Sequence, residues 1–483
     1  MLRYINTLFL AAAVLAVLGL SACGDDELNG PVPAVTIRPA TVDAVPGEAV
    51  DISISVESDM GFSALQYTVN GSDRITAQVS ISNPTPIFVI PFQFQVPAEA
   101  LFGDSYEIAM YVIDADNVES AAATVTINVV ALIDVPSDYT FTRDGASTVS
   151  FSGQTDRLNQ VAEMKSYIAA SHDGVTTLSS ADLYAMFVNT NGDGGGNFSF
   201  SSDRQLADKT FAPDVGYYET LFDEAEAASL NAVAGTRATE GTAGLIARAS
   251  GSDILVNAKG HEFVQMVEKG LMGAVFYNQI YNVYLTDNRI GDDVNNVDLV
   301  EGKNYTAMEH HWDEAFGYFG VPVDYPGTFT EGSADDRFWA KYTYDRDVLL
   351  DVNTPLMQAY IGGRAAIVNR DYVAKDNARD VLYTQHELVA AATAIHYINT
   401  SAAALDQGEV GELFHQISEA YMFTNALRFS PNASISQADI DLILNTDFGT
   451  DADFWTVTSQ GLNNARDRIT AAFPQLAPIA DSL

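Results

Sequence analysis

Two periodicities divide the chain. From Ala34 to about Val130 apolar and polar residues alternate with period two. Ala49-Val50-Asp51-Ile52-Ser53-Ile54-Ser55-Val56 is the clearest stretch, as a half-buried strand requires. The turn Pro46-Gly47-Glu48 precedes it, and further strand-like runs are Ala77 to Ile81, Phe88 to Val96, Tyr106 to Asp114 and Ala121 to Val130. Short strands separated by Pro, Gly, Asn and Asp predict an antiparallel β-sandwich over residues 34–131. After about Asp134 the period lengthens. Helical runs are expected over Asp156 to Ala170, Ser180 to Val188, Tyr218 to Val233, Ile254 to Leu285 and Thr306 to Phe319. Others are expected over Thr354 to Tyr372, Asp376 to Leu405, Gly408 to Leu427, Ser436 to Asn445 and Thr456 to Phe473. Residues 135–483 therefore predict an all-α domain of one or two bundles.

Before either pattern comes an apolar run, Leu8 to Leu20, after a positive start at Arg3. It is short for a spanning helix and has the length of a signal peptide. Leu20-Ser21-Ala22-Cys23 closes it, and Cys23 is the only cysteine among 483 residues. This ending resembles the lipobox of bacterial lipoproteins. The resemblance implies a signal peptide over 1–22, lipid on Cys23, and an acidic Gly/Pro-broken tether over 23–33. Gly24 after the cysteine then points to the outer membrane, with the face it occupies left open. No later run is expected to cross a membrane, so lipid is the expected membrane attachment.

Composition narrows the partners. Acidic residues number 64 against 24 basic, a formal charge of −40. Nucleic acid and anionic headgroups are poor partners for such a surface, because binding phosphates needs clustered Lys and Arg. With 47% hydrophobic residues the chain can bury substantial cores, and packing rather than disulfides must stabilise them.

Candidate chemistry lies on three polar stripes. On a helix from Thr306 to Gly320, Met308, Trp312, Phe316 and Phe319 gather on a core face, while His311, Glu314 and Tyr318 form a stripe at its edge. An imidazole and a carboxylate three residues apart can reach one ion or one water. Along the apolar run Ala258 to Leu285, His261, Gln265, Glu268 and Gln279 share a second stripe, and buried polar groups need partners. Glu412, His415 and Glu419 make a third. Asp114-Ala115-Asp116-Asn117 reads as a turn, and Asn189 to Gly194 as a glycine-rich loop without the twelfth-position acid of an EF-hand. No nucleophile elbow, phosphate loop or His-Glu-x-x-His motif is present.

Tyr139-Thr140-Phe141, Ser152-Gly153-Gln154, the Gly260-His261-Glu262 to Gly273-Ala274 run and Glu309 to Tyr318 together resemble an uncharacterised family of bacterial envelope lipoproteins with a domain of unknown function. More distantly, the helical region is similar to the imelysin-like group, two-bundle envelope proteins linked to iron uptake. His311 and Glu314 match the His and Glu of the imelysin Gly-x-His-x-x-Glu motif, but Glu309 stands at the glycine position. The expectation is a lipid-anchored binding protein with an immunoglobulin- or cadherin-like spacer and an imelysin-like bundle. Its ligand would be iron or another divalent metal, free or chelated, held by His311, Glu314, Glu268, His261, His415 and Glu419. The alternatives are an imelysin-like metallohydrolase and a structural or partner-binding lipoprotein. A shared ion requires His311, Glu314, Glu268 and His415 to converge within a few ångströms.

Overall fold

A computed structural model describes residues 31–82 and 84–483. The expected signal peptide, Cys23 and most of the expected tether lie outside the described residues. A β-rich N-terminal region is followed by a helical one, and the chain divides into two compact units.

In the first unit one sheet has the order β1 (Ala34–Ile37), β3 (Ala49–Glu57), β6 (Ile87–Gln95). The other has the order β2 (Thr41–Ala44), β8 (Ala123–Val129), β7 (Ser105–Ile113), β4 (Ala64–Val69), β5 (Ile75–Thr76). Strand β3 buries Val50, Ile52, Ile54 and Val56 and exposes the residues between them. Edge-on pairs such as Tyr67–Phe92 join the two sheets. The pairings are antiparallel except β2 with β8, which is parallel. The short step 38–40 leaves no room for the chain to reverse, so β2 continues the direction of β1 in the other sheet. The expected strand 77–81 does not form. Its partner β4 begins at Ala64, and pairing runs out once the Ala77 amide donates to the Leu65 carbonyl. Asp114 to Asn117 is a turn, in which the Asp114 carboxylate accepts from the amides of Asp116 and Val118.

The helical unit carries α1 (Ser152–Ala169), α2 (Ser180–Val188), α3 (Val215–Val233), α4 (Phe263–Leu271), α5 (Asp287–Ile290) and α6 (Ala307–Phe319). After them come α7 (Phe338–Leu350), α8 (Asn353–Asn369), α9 (Tyr372–Gln407), α10 (Val410–Ala426), α11 (Gln437–Leu442) and α12 (Ser459–Ala472). Small hairpins β9 (Thr142–Arg143) with β10 (Ala146–Ser147), and β11 (Gly244–Ala247) with β12 (Asp253–Val256), complete it. The helix expected from Ile254 starts only at Phe263. Residues 253–256 form β12, and Gly260 turns the chain at φ +85°. Beyond α4 the helix widens into π turns at Met272–Tyr277 and Ile280–Tyr284. Helix α7 is unexpected, because its apolar residues follow no single face. Helix α9 corrects another expectation, since its 36 residues are long and apolar enough to cross a membrane. Most of that apolar window is buried in the unit, between α8 and α10 among others, as a core helix requires.

Candidate functional site

Helix α6 is fixed at both ends and along two faces. Thr306 caps it, accepting from the Glu309 amide while the Glu309 carboxylate accepts from the Thr306 amide, and Gly320 ends it in the left-handed region. The core face is as expected, with Met308, Trp312, Phe316 and Phe319 fully buried and the Trp312 indole donating to the Tyr360 carbonyl. Glu309 and Asp313 belong to the core as well. Arg364 donates to Asp313 at 3.0 Å and Glu309 at 3.1 Å, Arg143 to Glu309 at 2.9 Å, and Tyr139 to Asp313 at 2.8 Å. Burial pushes the Asp313 carboxyl up to about 6 despite the Arg364 guanidinium.

Of the remaining stripe Glu314, with the neighbouring His310, lines a polar cleft of about 370 Å³ between α6, the start of α1 and the segments around Arg204, Lys209 and Lys303. Gly317 lets α6 approach α1, because a Cβ there would stand 2.6 Å from that of Phe151. The approach brings the Gln154 amide to Glu314 at 3.1 Å, while His311 Nδ1 holds the other carboxylate oxygen at 3.2 Å. Burial raises the Glu314 carboxyl, but the His311 hydrogen bond and both imidazoles outweigh it and leave it below the usual carboxylate value. Tyr305 stacks on His310 with ring centroids 4.7 Å apart.

Opposite this one carboxylate stand four of the chain's 24 cations: Arg157, Arg204, Lys209 and Lys303. Arg157 is buried, and its guanidinium donates to the carbonyls of Gln205 at 2.9 Å and Gly153 at 3.2 Å and neighbours the Tyr318 hydroxyl. Half-buried Lys209 donates to the Tyr284 hydroxyl at 3.1 Å. Among the described residues neither makes a salt bridge. Burial, and next the Arg157 charge, hold the Lys209 ammonium below its usual value. Arg204 reaches the cleft because residue 153 is glycine, since a Cβ there would lie 2.8 Å from its Nε. Its own partner, Asp203 at 3.3 Å, is exposed. Uncompensated cations at a polar cavity suit an anion, which Arg binds through paired donors and Lys as a point charge.

The other predicted residues lie elsewhere. Glu268 is buried between Lys269 at 2.6 Å and Lys165 at 2.9 Å. Burial raises its carboxyl, and the two ammonium groups bring it below the usual value. His415 Nδ1 meets Glu262 at 2.6 Å and its Nε2 faces Glu419 at 3.6 Å. Glu419 accepts from the Tyr342 hydroxyl at 3.1 Å, and Glu412 is taken by Arg248. Burial lowers the His415 imidazole, but Glu262 more than offsets this and leaves it above the usual value. His261 joins no stripe, because the helix begins after it. Its Nε2 meets the Ala452 carbonyl at 2.6 Å beside Phe454, and burial brings it down to about 4. The structure thus brings His311 to Glu314 and His415 to Glu419, but His311, Glu314, Glu268 and His415 do not converge on one ion. Among the described residues no group of three His, Cys, Asp or Glu side chains is placed to hold a metal.

Sequence reasoning missed the cations. Spacing gave no signal for them: Arg157 and Lys209 have no acidic residue three or four positions away on either side, but neither do Lys165 and Arg364, which pair with carboxylates distant in sequence.

A family described as a domain of unknown function (DUF4856) matches residues 136–475. A fibronectin(III)-like module of Clostridium thermocellum CbhA is similar over 20% of this chain and 96% of its own length, at 18% identity and a TM-score of 0.14. No curated protein matches the chain.

Proposed function

This chain belongs to the DUF4856 family, and we propose that it is a lipid-anchored protein of the bacterial cell envelope that binds a small anion in the α1–α6 cleft. In this reading Cys23 carries the lipid, residues 1–22 are the signal peptide, and the outer membrane is the destination. The β-unit is an immunoglobulin-like spacer and the helical unit an imelysin-like bundle. The observation that carries the reading is the pair Arg157 and Lys209, which make no salt bridge among the described residues and have Glu314 as the one carboxylate lining their cavity, in a chain of net charge −40. Burying an unpaired cation costs several kcal/mol, so such a pair points to a counter-charge supplied from outside. Iron or another divalent metal would then enter as an anionic chelate. A bare cation would meet four positive groups and one carboxylate already held by His311 and Gln154.

Calorimetric titration of the full mature chain with citrate, ferric citrate and ferrous ion separates these cases. We expect both anions to bind and Lys209→Gln to weaken them about tenfold, one charge-assisted contact. Binding of bare ferrous ion, with citrate inert and Lys209→Gln without effect, would overturn the reading. Cys23→Ser should abolish membrane recovery, and wild-type-like recovery would remove the lipid anchor.

A further inference from the structure

We infer that the cleft selects anions that also carry a hydroxyl donor, and that Glu314 is the residue that makes the selection. The inference rests on the reading of the cleft as an anion site and concerns which anions it takes. Glu314 lines the same cavity as the four cations, so any bound anion shares that space with a carboxylate. His311 holds one of its oxygens at 3.2 Å and Gln154 the other at 3.1 Å, which fixes the group in place. A carboxylate has about four acceptor sites, so these two contacts, with the Tyr284 hydroxyl as a third and His310 Nε2 at 3.9 Å, leave one for a ligand. An anion that only accepts hydrogen bonds meets Glu314 as a like charge and is repelled. An anion bearing an O–H donates to Glu314 and turns the repulsion into a charge-assisted hydrogen bond, while its charged groups meet Arg157 and Lys209. The ligand class is therefore a hydroxy acid, or another anion with a free hydroxyl.

Two matched pairs isolate the hydroxyl. Citrate and tricarballylate share three carboxylates and differ by one O–H, and hydrogenphosphate differs from sulfate in the same sense. The full mature chain should bind the hydroxyl-bearing member of each pair about tenfold to a hundredfold tighter. Glu314→Gln should strengthen tricarballylate and sulfate, weaken citrate, and reduce the preference to threefold or less. Lys303→Gln, at the exposed rim, should weaken both members of a pair by one factor and leave their ratio intact. Equal binding within the pairs in the wild-type chain, or a preference that survives Glu314→Gln, overturns the inference while the anion site stands. Failure of all four anions to bind overturns the site as well. If Glu314→Gln does not melt cooperatively, the wild-type ratios and Lys303→Gln decide.

Discussion

His311–Glu314 on α6 and His415–Glu419 on α10 put the same two side-chain types at helical spacing, three residues apart in one case and four in the other. Their surroundings differ in how charge is balanced. Around α4 and α10 most of the charges meet an opposite within the fold: Glu268 has Lys165 and Lys269, His415 has Glu262, and Glu412 has Arg248. Around α6 the Glu314 carboxylate is answered by imidazole and amide, and Arg157 and Lys209 make no salt bridge among the described residues at a cavity open to solutes. A balanced cluster has no charge left to recruit a ligand, whereas a cluster with surplus charge at a cavity does. Polar stripes on a helix therefore mark interior chemistry of either kind, and the count of opposite charges tells the two apart.

The sharpest break of this contrast is at the fully balanced network beneath the cleft. Arg364→Leu leaves Glu309 and Asp313 buried with one cation between them, and denaturant unfolding should report a loss of about 3–5 kcal/mol. Next comes acid. His261 has a folded value of about 4 against 6.5 unfolded, so between those values the unfolded chain binds the extra proton and stability falls as pH drops. The loss should approach about 3 kcal/mol, and His261→Phe should flatten that limb in melts from pH 7 to 4. His386, buried and held at about 3, acts in the same direction. Glu268→Gln tests the balanced cluster. It should cost about 2 kcal/mol by leaving Lys269 underpaired, yet leave anion affinity within twofold by calorimetry. Gly153→Ala is the mildest. The clash falls on the end of the flexible Arg204 side chain, so stability should change by less than about 1 kcal/mol while citrate binding weakens a few-fold.

What could be read from the sequence follows the range of the interactions. Strands β3, β6, β7 and β8 were legible because burial of one face leaves an alternating trace in the residues themselves. The core face of α6 was legible for the same reason at the longer period, as was the pairing of His311 with Glu314. The parallel β2–β8 pairing was not, since it depends on where the chain changes sheets. Nor was the burial of Glu309 and Asp313, whose partners Arg143 and Arg364 lie far away in sequence. The cleft was invisible for the same reason, because α1, Arg204, Lys209, Tyr284 and Lys303 come together only in three dimensions. His261 shows the opposite failure, a helical projection extended across Gly260, where no helix exists.

The most direct test of the surplus charge is the melting of the full chain with and without citrate at pH 7, beside Lys209→Gln and Glu268→Gln. Ligand at a hundred times its dissociation constant stabilises the folded state by about 2.7 kcal/mol. That shift is expected in the wild-type chain and in Glu268→Gln, and it should fall by about half in Lys209→Gln. A shift of equal size in wild type and Lys209→Gln, or none in either, would contradict it.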